Sequence, residues 1–231
     1  MKTVTPKQIE RLYEFTRQHY VEYYDVQTEL VDHLANAIET HWKTHPNDDF
    51  ETVLQKEFRK FGVFGFMDVL EEKMKQMSKR YNRMLWQKTK EFFTIPKIIL
   101  TLCIGIVIYL LLSLLGNINI IVPVFFLTIL IVFIVFSIKN RCLFKQKNEK
   151  KWLLEDTIIK LNNYSFILFL FFQMLFQFRE DLPQSKPFLV IYAAFFTFAI
   201  ITMYVATFHI PKNKEKYLSE IYPEYKIQSV K

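Results

Sequence analysis

Glycine and cysteine are both scarce in this chain of 231 residues. It contains four glycines, too few and too scattered for the glycine-rich loop that cradles a phosphate group. Its two cysteines are Cys103, inside an apolar run, and Cys142, in a basic stretch. Two isolated thiols supply neither a disulfide framework nor the ligand set of a metal site. We therefore expect no bound cofactor and no metal.

Asp, Glu, Lys and Arg are missing from the interior of the long apolar runs. Ion-coupled transporters and intramembrane hydrolases normally need such groups within the membrane. We also find no serine set in a strained turn and no convincing catalytic triad. These absences predict a protein that is not an enzyme, and a membrane enzyme acting on lipid is the least favoured alternative.

Long apolar runs are what the chain does have, and 24 of its residues are phenylalanine. A run of about 20 apolar residues is needed to cross the hydrocarbon core of a bilayer as a helix. The predicted membrane spans are residues 98–115, 118–138, 159–178 and 187–210. The third is the weakest, because its mainly apolar part, residues 164–178, has only 15 residues.

Positive charge flanks these runs, and this predicts their orientation. Residues 1–94 hold 15 Lys and Arg against 15 Asp and Glu, whereas residues 95–231 hold 15 against eight. The basic regions lie before the first run, between the second and third, and after the fourth, and basic loops stay in the cytoplasm. We expect a multi-pass inner-membrane protein with both termini cytoplasmic, divided into a domain (1–94), four spans (95–210) and a basic tail (211–231).

The domain at residues 1–94 has the pattern of about four helices. Thr5 followed by Pro6 is typical of a helix start, and a second start is predicted at Asp25. Asp48 with Glu51 three residues later has the spacing of a capping box and predicts a third helix. A fourth runs from about Phe66 towards the first span. The predicted fold class is all-α, a cytoplasmic bundle followed by four transmembrane helices.

One stretch of the second helix resembles a known family. The run from Glu29 to Glu39, ELVDHLANAIE, is followed by an acidic helix start and by Phe61-Gly62 at a helix end. This order resembles the small cytoplasmic helical domain called HAAS and its relative, the permease prefix domain, over roughly residues 8–75. Where that family commonly continues Gly-Asp-Pro, this chain has Gly62-Val63-Phe64-Gly65.

The resemblance implies a role in signalling or interaction, beside a PadR-like transcription regulator or a membrane permease, with no catalytic residues. It favours a protein partner of unknown identity over an ordinary solvated face. The alternative function is an accessory subunit of a transporter. The candidate partner-binding residues on the outer face of the helix are Glu29, Asp32, His33, Asn36 and Glu39.

Two histidines of the second helix raise the question of a metal site. His41 and His45 lie one turn apart and Asp49 follows, a spacing that zinc could use. Both histidines also fall on the apolar face of the helix and in its last turn, where a cation complements the helix dipole. We favour histidines at the edge of the core and predict no metal.

The segment before the first span alternates basic and aromatic residues, which suits a surface of anionic lipid. The alternative is an ordinary solvated helix face. The candidate contacts with the anionic cytoplasmic leaflet are Arg83, Trp86, Lys88 and Lys90. Because the domain at residues 1–94 has no net charge, we expect no direct nucleic-acid binding.

Two glutamines, Gln173 and Gln177, share a face of the third span. Such groups usually form hydrogen bonds between helices, and a polar ligand pocket is the alternative. The sequence leaves open whether copies of the chain associate as a homo-oligomer.

Overall fold

The computed structural model describes residues 2–115, 118–147, 150–161 and 185–222. Every regular element within those ranges is a helix, so the all-α prediction is confirmed there. The chain forms two compact units. The N-terminal unit consists of Met1–Lys79 and Asn148–Asp156, and the C-terminal unit of Arg80–Lys147 and Thr157–Lys231.

Three helices and the start of a fourth build the N-terminal unit. They are α1 (Pro6–Gln18), α2 (Tyr24–Thr44), α3 (Phe50–Arg59) and α4 (Phe66–Lys90), whose last residues belong to the C-terminal unit. Their apolar faces meet in one core, in which Leu12, Ile38 and Leu54 have no exposed surface. The helical spacing of apolar residues is the physical origin of this packing, since each helix has one face to bury.

Side-chain caps fix two of the helix starts. At α1 the amide of Gln8 donates to the Thr5 hydroxyl, the Thr5 amide donates to the Gln8 side chain, and Pro6 follows the cap. At α3 the cap is Asp49, which accepts from two backbone amides, so the predicted capping box at Asp48 is wrong by one residue. The reason is that the carboxylate of Asp48 is held by His41.

The C-terminal unit holds the apolar helices. The chain leaves α4 through a 3-10 turn, Glu91–Phe93, and bends by 81° into the next helix. The helices that follow are α5 (Ile98–Leu114), α6 (Ile118–Lys147), α7 (153–161 as far as described), α8 (Lys186–Tyr204), α9 (Ile210–Lys212) and α10 (Lys214–Ile221). A short π-helical stretch, Val205–His209, joins α8 to α9.

Two helical segments of the described chain are long and apolar enough to cross a membrane, Asn119–Lys139 and Lys186–Lys212. A third qualifies if the bent pair Phe66–Phe93 and Ile98–Leu114 is counted as one span. Helix α5 alone is about 25 Å long at 1.5 Å per residue, slightly under the ~30 Å hydrocarbon core. The predicted span at 159–178 lies almost wholly outside the described residues. Helix α6 continues to Lys147, beyond the span end predicted at 138.

Helices α5 and α8 pack closely because a small residue lies between them. A Cβ added to Gly105 would stand 3.4 Å from the Thr197 hydroxyl oxygen. Phe126 of α6 contacts Phe196 of α8, with the ring centroids 5.1 Å apart. Small residues that let helix backbones approach are a common device of helix packing in membranes.

Candidate functional site: the outer face and the N-terminus of α2

Helix α2 has two distinct faces. Leu30, Leu34, Ile38 and Trp42 repeat every four residues and are almost fully buried. The opposite face carries the five residues that sequence analysis proposes for partner binding. The apolar repeat therefore holds α2 in the core and leaves its other face available for interaction.

Three of the five candidate residues already have partners within the unit. The Glu29 carboxylate lies 2.7 Å from the Lys73 ammonium and 3.9 Å from Nε2 of His33. The Glu39 carboxylate accepts a 2.9 Å hydrogen bond from the Val4 amide. The outer face is therefore less acidic than the sequence alone indicates.

Asp32 and Asn36 are both exposed on α2. The described part of the chain shows no hydrogen bond or ion pair for either side chain. They are therefore the candidate residues with the greatest freedom to contact another molecule.

A groove of about 390 Å³ opens beside these residues, between α2, α3 and the start of α4. Its walls are mostly apolar and its rim carries charged groups. The lining residues are Val26, Glu29, Leu30, His33, Leu34, Ala37, Glu57, Lys60, Phe61 and Val69. An apolar groove with a few polar groups at its edge is suited to bind an amphipathic helix, apolar side chains inward.

Glu57 and Lys60 form the side of the groove opposite α2. Glu57 is buried, with 6% of its surface exposed, and both its carboxylate oxygens lie 2.6 Å from the Lys60 ammonium. A buried carboxylate needs such a partner, since an unpaired charge there would be costly. Two of the groove-lining residues, Glu29 and His33, are also among the predicted partner-binding residues, which places these two at a concave surface.

The turn that joins α3 to α4, next to the groove-lining residue Phe61, exposes apolar side chains. Gly62 and Gly65 have positive φ angles of 83° and 57°, and the residues between them, Val63 and Phe64, are 98% and 70% exposed. A Cβ at Gly65 would lie 2.8 Å from the Phe58 ring, so any other residue here would displace that ring and strain the backbone. Residues 62–65, which differ from the Gly-Asp-Pro pattern described above, therefore form an exposed apolar turn with a glycine at each end.

The N-terminus of α2 has no side-chain cap of its own, and residues 151–156 supply what is missing. The Tyr24 amide donates to the Lys151 carbonyl at 2.8 Å. In return the Asp25 carboxylate accepts from the Leu153 amide at 3.1 Å, at the start of α7. The N-termini of the two helices therefore satisfy each other's free amides.

Further contacts strengthen this arrangement. The Tyr23 hydroxyl donates to the Asp156 carboxylate at 2.6 Å, and the Trp152 ring lies edge-on to Tyr24 with centroids 5.4 Å apart. Trp152 and Leu153 are each only 2% exposed. The segment 150–156 is thus an integral part of the N-terminal unit.

This contact was not predicted from the sequence, which indicates only a helix start at Asp25, one residue after the observed start at Tyr24. The one available signal was the apolar triplet Trp152-Leu153-Leu154 in an otherwise charged stretch. A contact across more than 120 residues has no local pattern that could reveal its partner.

The two histidines near the end of α2 interact with Asp48. Nε2 of His41 lies 2.7 Å from the Asp48 carboxylate, and the His45 ring stacks on that of His41 with centroids 5.0 Å apart. The hydrogen bond from His41 lowers the pKa of Asp48 below its usual value. No group of three His, Cys, Asp or Glu side chains suited to a metal occurs within the described ranges.

The residues predicted to contact lipid divide into two sets. Arg83 and Trp86 are exposed, and the Lys90 ammonium lies 5.3 Å from the centroid of the Trp86 ring, close enough for a cation–π contact. Lys88 is half-buried and forms a 2.6 Å ion pair with Glu91. Gln173 and Gln177, the predicted polar contacts of the third span, lie outside the described residues.

No family model matches the chain, and no curated protein or solved structure is similar to it.

Proposed function

We propose that this chain is a non-enzymatic membrane protein whose N-terminal unit, a HAAS-like module, binds a protein partner on the cytoplasmic side. The partner fits the groove beside α2 with an amphipathic helix. Transcription regulators, which accompany domains of the resembling family, are the partner class we favour. The conformational effect of binding is transmitted to the membrane helices through residues 150–156.

One observation carries this proposal: a single helix holds both the groove and the contact with residues 150–156. Glu29 and His33 line the groove one to two turns from Asp25, which caps the start of α7. Helix α7 leads towards the predicted third span. A partner that shifts α2 therefore alters the anchoring of α7, because a helix moves largely as a rigid body.

The same contact supports the topology. Residues 1–79 and 150–156 belong to one compact unit and so lie on one side of any membrane. Two crossings between them, by α5 and α6, satisfy this condition. With the basic tail on that side as well, we propose four spans and two cytoplasmic termini in the inner membrane.

The docking proposal can be tested by photocrosslinking in cells with the full-length chain. A photoreactive residue at Asn36, beside the groove, should yield a discrete protein adduct. The matched control is Gln55, exposed on α3 and absent from the groove lining. In a chain that also carries Ala37→Arg, the bulky charge across the groove should abolish the Asn36 adduct while the protein remains folded.

The results distinguish binding in the groove from binding elsewhere on the protein. An adduct at Asn36 that disappears with Ala37→Arg supports binding in the groove. Equal adducts at Asn36 and Gln55, or an Asn36 adduct that survives Ala37→Arg in a folded protein, would show that the partner binds elsewhere.

A further inference from the structure

Three lysines from separate elements gather at one end of the apolar helices in the C-terminal unit. The Lys88 ammonium lies 2.6 Å from one carboxylate oxygen of Glu91, and the Lys97 ammonium lies 3.3 Å from the other. Lys88, Lys97 and Lys212 are all close enough to His209 to act electrostatically on it. We call Lys88, Lys97 and Lys212 the lysine cluster.

Glu91 places two of these lysines without neutralising the cluster. Its hydrogen bond raises the pKa of Lys88, and the same bond lowers the pKa of Glu91, so both groups are charged at neutral pH. Glu220 of α10 also acts on Lys88. Among the described groups that act on Lys88 or His209, three ammonium groups stand against two carboxylates, which leaves an excess of positive charge.

Exposed aromatic rings adjoin the lysine cluster. The Lys97 ammonium lies 4.9 Å from the centre of the Phe92 ring, and the Lys212 ammonium lies 5.7 Å from that of Phe208. Tyr204 contacts both rings, with centroids 6.0 Å from Phe92 and 5.4 Å from Phe208. Tyr204 and Phe208 are 44% and 39% exposed, so the cluster borders an accessible apolar surface.

The position along the helices is that of a membrane surface. Lys97 directly precedes α5, and Lys212 ends the apolar segment Lys186–Lys212. The Thr101 hydroxyl, in the first turn of α5, donates to the Phe92 carbonyl at 2.6 Å, which holds the aromatic turn against α5. Lysine head groups at the end of a span and aromatic rings beside them are typical of the lipid interface.

We propose that the lysine cluster binds the phosphate of an anionic phospholipid, whose acyl chain lies along Tyr204 and Phe208. The adjoining apolar surface favours a lipid over free phosphate, which would leave the rings unused. Of these residues sequence analysis identified only Lys88, because Lys97 and Lys212 are 115 positions apart. This inference does not depend on the docking of a protein partner.

Lipid binding can be measured on the full-length chain in mild detergent by native mass spectrometry. The probes are phosphatidylglycerol and phosphatidylcholine with the same acyl chains. The variant combines Lys88→Gln, Lys97→Gln and Lys212→Gln. A control variant with the same loss of charge combines Lys7→Gln, Lys139→Gln and Lys186→Gln, all exposed and outside the cluster.

Phosphatidylglycerol should bind the wild type more tightly than phosphatidylcholine does. Each basic residue near an anionic surface contributes about 1 kcal/mol, so the loss of three should lower the phosphatidylglycerol affinity of the cluster variant by on the order of a hundredfold. The control variant should lose about twofold at most. Equal loss in the two variants, or equal binding of the two lipids by the wild type, would overturn the proposal.

Two further measurements separate the alternatives. Millimolar inorganic phosphate should not displace the lipid, and Tyr204→Ala with Phe208→Ala should weaken it. Displacement by phosphate and indifference to the aromatic variant would reassign the cluster to a free anion. If the triple variant fails to fold, the single variants Lys97→Gln and Lys212→Gln test the proposal instead. Each should lower the phosphatidylglycerol affinity by about fivefold, and Lys186→Gln, the control, should not.

Discussion

The two units of this protein stabilise their helices in different ways. In the N-terminal unit, Thr5 and Asp49 cap their own helices through their side chains, and Asp25 caps another. In the C-terminal unit, neither α5 nor α8 has a side-chain cap. This difference is the one expected between helices in water, whose ends are fixed by specific polar groups, and helices apolar enough to span a membrane, whose extent follows the apolar run.

The largest expected effect tests whether residues 150–156 belong to the N-terminal unit. Trp152→Ala should cost about 3–5 kcal/mol of that unit's stability, because a large buried ring is lost. Phe64→Ala, which removes a 70% exposed ring, should cost far less. Hydrogen exchange of the α2 amides in the full-length protein measures both. If the α2 amides of Trp152→Ala remain as protected from hydrogen exchange as those of the wild type, residues 150–156 do not belong to the N-terminal unit.

The next effect concerns the packing of α5 on α8 in the C-terminal unit. Gly105→Leu should destabilise that unit by about 1–3 kcal/mol, because the added side chain meets Thr197. Val107→Leu, at a position 55% exposed, enlarges the same helix without a clash and should be nearly neutral. Thermal unfolding in detergent compares the two variants. Equal melting temperatures would show that α5 and α8 do not pack at Gly105.

A smaller effect is expected at the cap between α2 and α7. Asp25→Ala should cost about 1 kcal/mol, as removal of a capping carboxylate usually does. The Leu153 amide should then exchange about fivefold faster. Asp32→Ala, which removes an exposed carboxylate from the same helix, is the control and should leave that exchange rate unchanged. The same rate in both variants would refute the cap.

The smallest effect is a dependence on pH. Because His41 lowers the pKa of Asp48 in the folded protein, this carboxylate stabilises the fold above its unfolded pKa, near 3.8. The contribution disappears as the pH falls through the lower, folded value. The melting temperature of Asp48→Asn should therefore fall less steeply than that of the wild type as the pH decreases below about 4. An unchanged acid profile would show that the His41–Asp48 pair does not contribute to stability.

Local patterns in the sequence were sufficient for much of the fold. Thr5-Pro6 predicted the start of α1, and the four-residue apolar repeat predicted the buried face of α2. The spacing of Asp48 and Glu51 predicts a cap at Asp48, because the sequence does not show that His41, seven residues earlier, binds the Asp48 carboxylate. The site was less predictable. The helical pattern of α2 is enough to place Glu29 and Glu39 on its outer face, but their partners Lys73 and Val4 lie 44 and 35 residues away in the sequence.

The mutual capping of α2 and α7 also determines when, during synthesis of the chain, the N-terminal unit can finish folding. Residues 150–156 leave the ribosome after the whole of α5 and α6, so α2 lacks its final contacts until both apolar helices have been made. A fragment ending before residue 150 would expose the surface of Tyr24 that Trp152 covers. In the four-span topology proposed above, the N-terminal unit is completed only once α5 and α6 have crossed the membrane and returned, so correct insertion would be a condition for the proposed docking surface.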